Sequence, residues 1–231
     1  MADMDEKERI RRIEASRAGR KAAASGDPSS WFDHVYKAAR KTDAPEDVPW
    51  VDLQPHRLFL EWLERENPAP CRVCVVGSGL GEDAEELARR GFEVTAFDVS
   101  PTAVDWCRER YPDSTVDYRT ADLFDLPKEW FGVFELVVEV YTVQALPLAV
   151  REESSAAVAS LTAPGGRLLV VSRARPDDES DPKGPPWPLS RLETTGFLVD
   201  GMNEESFETV TDADERAMVR FRVVYRRSAD A

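Results

Sequence analysis

The run from Arg72 to Ser100, RVCVVGSGLGEDAEELARRGFEVTAFDVS, constrains the fold more than any other part of the 231-residue chain. It reads as strand, glycine turn, helix, strand and acid, the order of a nucleotide-binding half-domain. Arg72 to Val76 is a short apolar run rich in β-branched residues, as a strand covered on both faces requires. Gly77, Gly79 and Gly81 let the backbone turn sharply and approach a ligand, and Glu82 to Arg90 winds off as a helix ended by Gly91. Glu93 to Phe97 is the second strand, with Asp98 at its carboxyl end, about twenty residues past the first glycine. An acid there can accept both ribose hydroxyls of an adenosine.

Glycine spacing narrows the nucleotide. A dinucleotide site of the GxGxxG kind needs glycine at position 82, which is Glu82. The chain reads GxGxG instead, and Glu82 and Asp83 place negative charge at the helix start where a pyrophosphate would sit. An adenosine cofactor without phosphates fits better, and S-adenosylmethionine is one. An NAD-binding oxidoreductase is the alternative that this spacing disfavours.

A net charge of −14 and a pI near 4.7 disfavour nucleic acid and acidic membrane surfaces as partners. The longest nearly apolar stretch, Leu136 to Val150, is interrupted by Glu139, Gln144 and Pro147 and is too short to span a bilayer. The N-terminus lacks the apolar core of a secretory signal, so a cytoplasmic protein is expected, as a monomer or homodimer acting on a small molecule. Cys71 and Cys74 form a CxxC pair, but residues three apart on a strand face opposite ways, and no second pair accompanies them. No metal site is expected.

Three regions follow from composition. Residues 1–28 are charged and alanine-rich, a solvated helix or a disordered leader. Residues 29–69 form an N-terminal cap, with Trp31, Phe32, Val35, Tyr36 and Ala39 at helical spacing and a helix from Pro55 to Glu66. Residues 70–231 form the main domain. Ser100 and Pro101 start a helix that runs to about Arg110. Strands are expected at Val116 to Arg119, Phe134 to Tyr141 and Arg167 to Ser172, with a helix from Leu148 to Leu161. A short helix from Leu189 to Thr195 precedes two antiparallel strands, Phe197 to Phe207 and Met218 to Tyr225. The fold class is α/β: a seven-stranded, mostly parallel sheet with helices on both faces, an antiparallel last strand and an N-terminal helical cap.

Over residues 70–226 this arrangement resembles the class I S-adenosylmethionine-dependent methyltransferases. VVGSGLG resembles their first motif, FDVSPTAVDWC the acid-bearing second and TADLFDLP the third, while FELVVEVYTVQALP and LTAPGGRLLVV resemble the fourth motif and the strand after it. The resemblance implies S-adenosylmethionine as cofactor, held by Gly77, Ser78, Gly79 and Gly81, by Asp98 and Val99 at the ribose, and by Asp122 and Leu123 at the adenine. Family members often carry an acid two residues before the first glycine, where this chain has Val75. The ammonium end of the cofactor is then left to backbone carbonyls or to a carboxylate such as Glu139, whose structural alternative is a tie to an arginine.

HVYKAARKTDAPEDVPWVDLQP and EVYTVQALP further resemble the thiopurine and thiol methyltransferase branch, which places an aromatic N-terminal segment over the cofactor. On that resemblance Trp50 is a cofactor contact, Trp31 a lid or substrate contact, and Tyr141 faces the reacting centre. The D/NPPY/F signature of many amine methyltransferases is absent, leaving a small soft nucleophile, a thiol first and an alcohol or phenol second. A thiol needs no dedicated base. An alcohol or phenol does, and His56 and Tyr141 are the candidates. The proline-rich loop 177–191 follows the fifth strand, so Trp187 is expected to wall the acceptor pocket and Arg191 to meet an anionic group. A non-catalytic cofactor-binding protein is the remaining alternative.

Overall fold

The computed structural model describes residues 6–180, 182, 184–211 and 218–230. The five-residue strand β1 (Arg72–Val76) lies inside the sheet because both its faces are apolar. Val73 and Val75 join a cluster with Leu58, Trp62, Leu87 and Val104, whereas Cys74 and Val76 join another with Val158, Leu161 and Phe197. Strand β1 pairs in parallel with β2 (Glu93–Asp98) on one side and β4 (Phe134–Val140) on the other, with Val75 opposite both Ala96 and Val138. Adding β3 (Asp117–Thr120), β5 (Thr162–Arg173), β6 (Met202–Thr211) and β7 (Val219–Arg227) gives the order β3-β2-β1-β4-β5-β7-β6. Only β7 is antiparallel to its neighbours on both sides. The chain turns outward from β1 to β2 and β3, then crosses back to β4, so a crevice opens at the carboxyl ends of β1 and β4.

Helices α1 (Glu6–Ser25), α2 (Ser30–Arg40) and α3 (Arg57–Glu66) precede the sheet, and α4 (Glu82–Arg89), α5 (Pro101–Arg110) and α6 (Arg151–Ser160) connect its strands. Ser100 caps α5, its hydroxyl accepting from Ala103 N at 3.1 Å, and Pro101 occupies the first turn where no N–H is needed. In the leader, α1 is helical, with Ala15 and Ala22 buried against Trp31. Among the described residues no helix is long and apolar enough to cross a membrane, and no group of three metal-ligating side chains is present.

Three elements differ from the sequence expectation. Residues 193–197 form a 3₁₀ turn in place of a helix from Leu189, and Phe197 ends it fully buried, its ring 5.4 Å from that of Tyr225. The sixth strand therefore starts at Met202, after a turn at Asp200 and Gly201, and runs to Thr211. Strand β5 begins at Thr162 and includes the PGG segment, which its pairing with β4 accommodates as a bulge. On β7, Arg222 is buried under α3, donating to Leu58 O at 3.1 Å and pairing with Glu61 and Glu208.

Candidate active site

A cavity of about 480 Å³ lies across the carboxyl ends of β3, β2, β1 and β4, closed above by α1, α2 and the segment 49–56. From the sheet, Gly77, Ser78 and Gly79 line it after β1, Asp98 and Val99 after β2, Asp122 and Leu123 after β3, and Tyr141 after β4. Trp31, Trp50 and His56 face these from the cap. Twelve of the residues singled out in the sequence thus either line one cavity or, as with Gly81, shape the turn beneath it.

Asp98 is buried, its two oxygens accepting from Gly79 N at 3.0 Å and Ser100 N at 2.9 Å. Burial, with Asp33 adding to it, pushes its carboxyl up to about 6 against the pull of these N–H donors. Each oxygen keeps a lone pair for a hydroxyl donor such as a ribose would supply. Asp122 accepts from Phe124 N at 3.0 Å, which holds the turn after β3 and presents Leu123 to the cavity. Glu82 at the start of α4 is paired with Arg110 at 2.7 Å, and the anionic first turn is a poor seat for a pyrophosphate.

The cap is an aromatic cluster. Trp50 meets the rings of Trp31, Phe32 and Tyr36 edge-on at centroid distances of 5.5, 5.8 and 5.6 Å, and its indole N–H donates to the Tyr36 hydroxyl at 2.8 Å. Tyr36 lines the cavity as well as the core, and burial, then Asp98, raises its phenol well above the ordinary value. Its helical spacing pointed only to packing.

At the β4 end, Tyr141 has a left-handed backbone, φ +65°, and lines the cavity. Its N–H donates to Val171 O at 3.0 Å, and Arg220 donates to its hydroxyl. The His56 ring packs edge-on against Tyr141 at 4.8 Å, and the Arg173 guanidinium lies 5.9 Å over the same ring. Burial, with Arg220 and Arg57, pushes the His56 imidazole down to about 4, so it is neutral at pH 7. Thr142, Gln144, Arg173, Asp52 and Asp83 also line this end and had not been singled out as site residues. Gln144 accepts from Arg173 N at 2.6 Å and so joins the end of β5 to the turn after β4.

Four expected contacts lie outside the lining. Gly81 is the N-cap of α4, where an added Cβ would meet the Tyr118 hydroxyl at 2.4 Å, so its need is for packing space. Glu139 is 1 % exposed and caps the turn after β4, its Oε1 accepting from Thr142 N at 2.7 Å and Val143 N at 3.0 Å. It forms no direct arginine pair among the described residues. Trp187 is buried beneath the loop, its backbone tied to Gln144 O at 2.7 Å and to Arg151 at 2.9 Å, and Pro185 and Pro186 face the cavity instead. Arg191 stacks on Phe207 at 4.0 Å and pairs with Glu204 at 2.6 Å, away from the crevice.

The residues present suit an adenosine cofactor with a cationic end: a buried acid for a ribose, apolar and aromatic walls, and no seat for phosphates. Three buried polar atoms on the wall, Trp31 Nε1, His56 Nδ1 and Ser78 Oγ, have no protein partner among the described residues.

Residues 43–227 match the family described as thiopurine S-methyltransferase (TPMT). The ubiquinone biosynthesis O-methyltransferase of Xanthomonas axonopodis pv. citri (strain 306) is 37% identical over 139 residues, 58% of this chain and 55% of that protein. The chain thus spans about half the length of the curated relatives it matches. The structure from "Conversion of a Disulfide Bond into a Thioacetal Group during Echinomycin Biosynthesis" is similar with a TM-score of 0.69 at 20% identity, over 87% of this chain and 93% of that one. The N-methyltransferase NodS from Bradyrhizobium japonicum WM9, solved with S-adenosyl-L-homocysteine, gives 0.65 at 18% identity, over 84% and 99%. At those identities the likeness is one of fold. The match over residues 43–227, on a sheet of this order, shows that the chain belongs to the thiopurine S-methyltransferase family, within the class I S-adenosylmethionine-dependent methyltransferases.

Proposed function

We propose that this chain transfers the methyl group of S-adenosylmethionine to a small soft nucleophile, a thiol in the first instance. The observation that carries the choice of thiol is the state of His56. With its imidazole pushed down to about 4, it is a feeble base for the proton of an alcohol or phenol. A thiol with a pKa of about 8.5 supplies a few per cent of its own thiolate at neutral pH.

When bound, the cofactor supplies an electrophilic methyl on a sulfonium whose positive charge falls as the nucleophile attacks. The chain's own part is then positioning. Asp98 and Asp122 hold the adenosine, and Trp50, Tyr36 and Trp31 cover it and exclude water. Tyr141, pinned by Arg220 and packed on His56, fixes one side of the acceptor's approach. Alignment of this kind lowers barriers by about 7–11 kcal/mol in well-oriented reactions, and an aromatic face on a sulfonium adds about 0.5–2 kcal/mol.

O-methylation of a phenol is the second reading, favoured by the curated O-methyltransferase relatives. Incubation with methyl-labelled S-adenosylmethionine and matched pairs of aryl thiols and phenols tests the choice. Thiols should turn over faster, with kcat rising along a single limb set by ionisation of the bound thiol. Preferential labelling of the phenols, or a His56→Gln variant that abolishes their labelling alone, would reverse the assignment.

A further inference from the structure

The cofactor of this family ends in an amino acid, and its ammonium needs an anionic or carbonyl partner. The strand position where relatives often place an acid is Val75, which is 4 % exposed and packs into the core away from the cavity. Glu139 is equally out of reach, enclosed behind the turn that it caps.

The crevice has a direction. Asp122 and Leu123 lie after β3, Asp98 after β2, the glycine turn after β1 and Tyr141 after β4. With the ribose at Asp98 and the adenine towards β3, the amino-acid end must point towards β1 and β4. Asp83, in the first turn of α4, lines the cavity at that end. Its Oδ1 accepts from His56 N at 2.8 Å, and the His56 ring lies on Tyr141, which ties the carboxylate to the β4 side. Glu82 beside it is neutralised by Arg110, Asp98 and Asp122 lie after β2 and β3 where the nucleoside is placed, and Asp52 is exposed. Asp83 is the half-buried carboxylate left without a cation among the described residues lining this end.

We propose that Asp83 binds the ammonium group of the S-adenosylmethionine methionyl moiety, in place of the acid missing at Val75. The inference rests on the cofactor assignment above. The state of the carboxyl agrees with it: burial, aided by neighbouring Glu82, pushes Asp83 up to about 7, and a cation set against it would offset that desolvation. Position 83 lies two residues beyond the last glycine, so a carboxylate there reaches the same end of the crevice from the helix instead of the strand.

Calorimetry with two ligands tests the proposal. S-adenosylhomocysteine carries the amino acid, and 5′-methylthioadenosine has the same nucleoside and sulfur without it. Asp83→Asn should weaken S-adenosylhomocysteine binding at least tenfold and leave 5′-methylthioadenosine within twofold, at an unchanged far-UV spectrum and with Glu139→Gln retaining wild-type affinity for both. Equal losses for both ligands would make Asp83 a structural residue, and unchanged affinity for both would remove it from the site. Loss of turnover with S-adenosylhomocysteine affinity intact would make it a base for the acceptor. Each of these outcomes overturns the proposal, whereas failure of the wild-type protein to bind either ligand would overturn the cofactor assignment itself.

Discussion

Gly77 opens the turn that lines the cavity after β1, and Gly77→Ala should be costly for two separable reasons. Its φ is +61°, where an alanine is strained by about 1–2 kcal/mol. An added Cβ would also fall 2.3 Å from Thr142 Oγ1 and 2.7 Å from Thr142 Cγ2. Relieving that contact displaces a side chain whose hydroxyl donates to Val76 O at 3.0 Å, joining β1 to the turn after β4. Losing this bond costs about 1 kcal/mol, and residual crowding adds about 1–3 kcal/mol. The sum for Gly77→Ala is about 3–6 kcal/mol, or a fall in Tm of about 6–24 °C for a chain of this size.

Thr142→Ala alone should cost about 1 kcal/mol, the hydrogen bond. The double variant removes the clashing Oγ1 and Cγ2 and should cost only about 2–3 kcal/mol, the backbone strain plus that bond. A double-mutant cycle by urea denaturation should therefore give a favourable coupling of at least about 1 kcal/mol between the two sites. Strictly additive costs would refute the steric argument and leave backbone strain alone responsible.

Acid conditions should stabilise the ligand-free protein. Asp83, Asp98 and Glu139 have folded pKa values raised to about 7, 6 and 7, so the folded form binds their protons more tightly and gains stability as pH falls through that range, while His56, lowered to about 4, opposes them below 6.5. Three groups against one leave a Tm that rises from pH 7.5 to about 5.5, with Glu139→Gln flattening part of the slope; a Tm that falls over that interval would contradict the burial of these acids. Cys74 and Cys107 are buried with thiols raised by burial, and Cys71 is half-buried, so Ellman's reagent should titrate Cys71 slowly in the native protein and the other two only on unfolding. Deleting residues 1–28 removes Ala15 and Ser16 from the cavity wall and uncovers Trp31, so S-adenosylhomocysteine should dissociate faster in stopped-flow fluorescence; an unchanged off-rate would mean that α1 does not close the site.

The legible part of this chain is the part whose geometry is local. The glycines of the first turn, Asp98 at the end of β2 and Ser100 as a cap are dictated by residues within a few positions of one another. Trp187 and Arg191 were misplaced because the path of their loop is set by Gln144, Arg151 and Glu204, between 13 and 43 residues away in sequence. A tryptophan in a proline-rich loop can wall a ligand or anchor the loop, and nothing within a few residues of Trp187 distinguishes the two. Asp83 was read only as negative charge at a helix start, since its burial depends on His56 arriving from the cap. Tyr36 shows the same limit. A helical stripe announces a buried face but not that its outer edge meets a cavity.

The charges around the cavity bear on chemistry that the fold alone leaves open. Towards β2 and β1, Asp98, Glu82 and Asp83 make the wall anionic, and only Glu82 has a guanidinium beside it. That wall favours a cationic ligand and opposes a pyrophosphate, whose own charge would face uncompensated carboxylates. At the β4 end the sign reverses, with Arg173 over the Tyr141 ring and Arg220 on its hydroxyl. A thiol bound there, as proposed above, would ionise beside the Arg173 guanidinium, which lines the cavity and favours thiolate over thiol. The gradient sets a cation against the carboxylates and an anion against the arginines, with the line between them crossing the crevice from β1 to β4. For the thiol proposed above, an in-line displacement that annuls both charges needs that alignment and no proton acceptor from the chain. The weakness of His56 as a base is then consistent with the site instead of a deficiency in it.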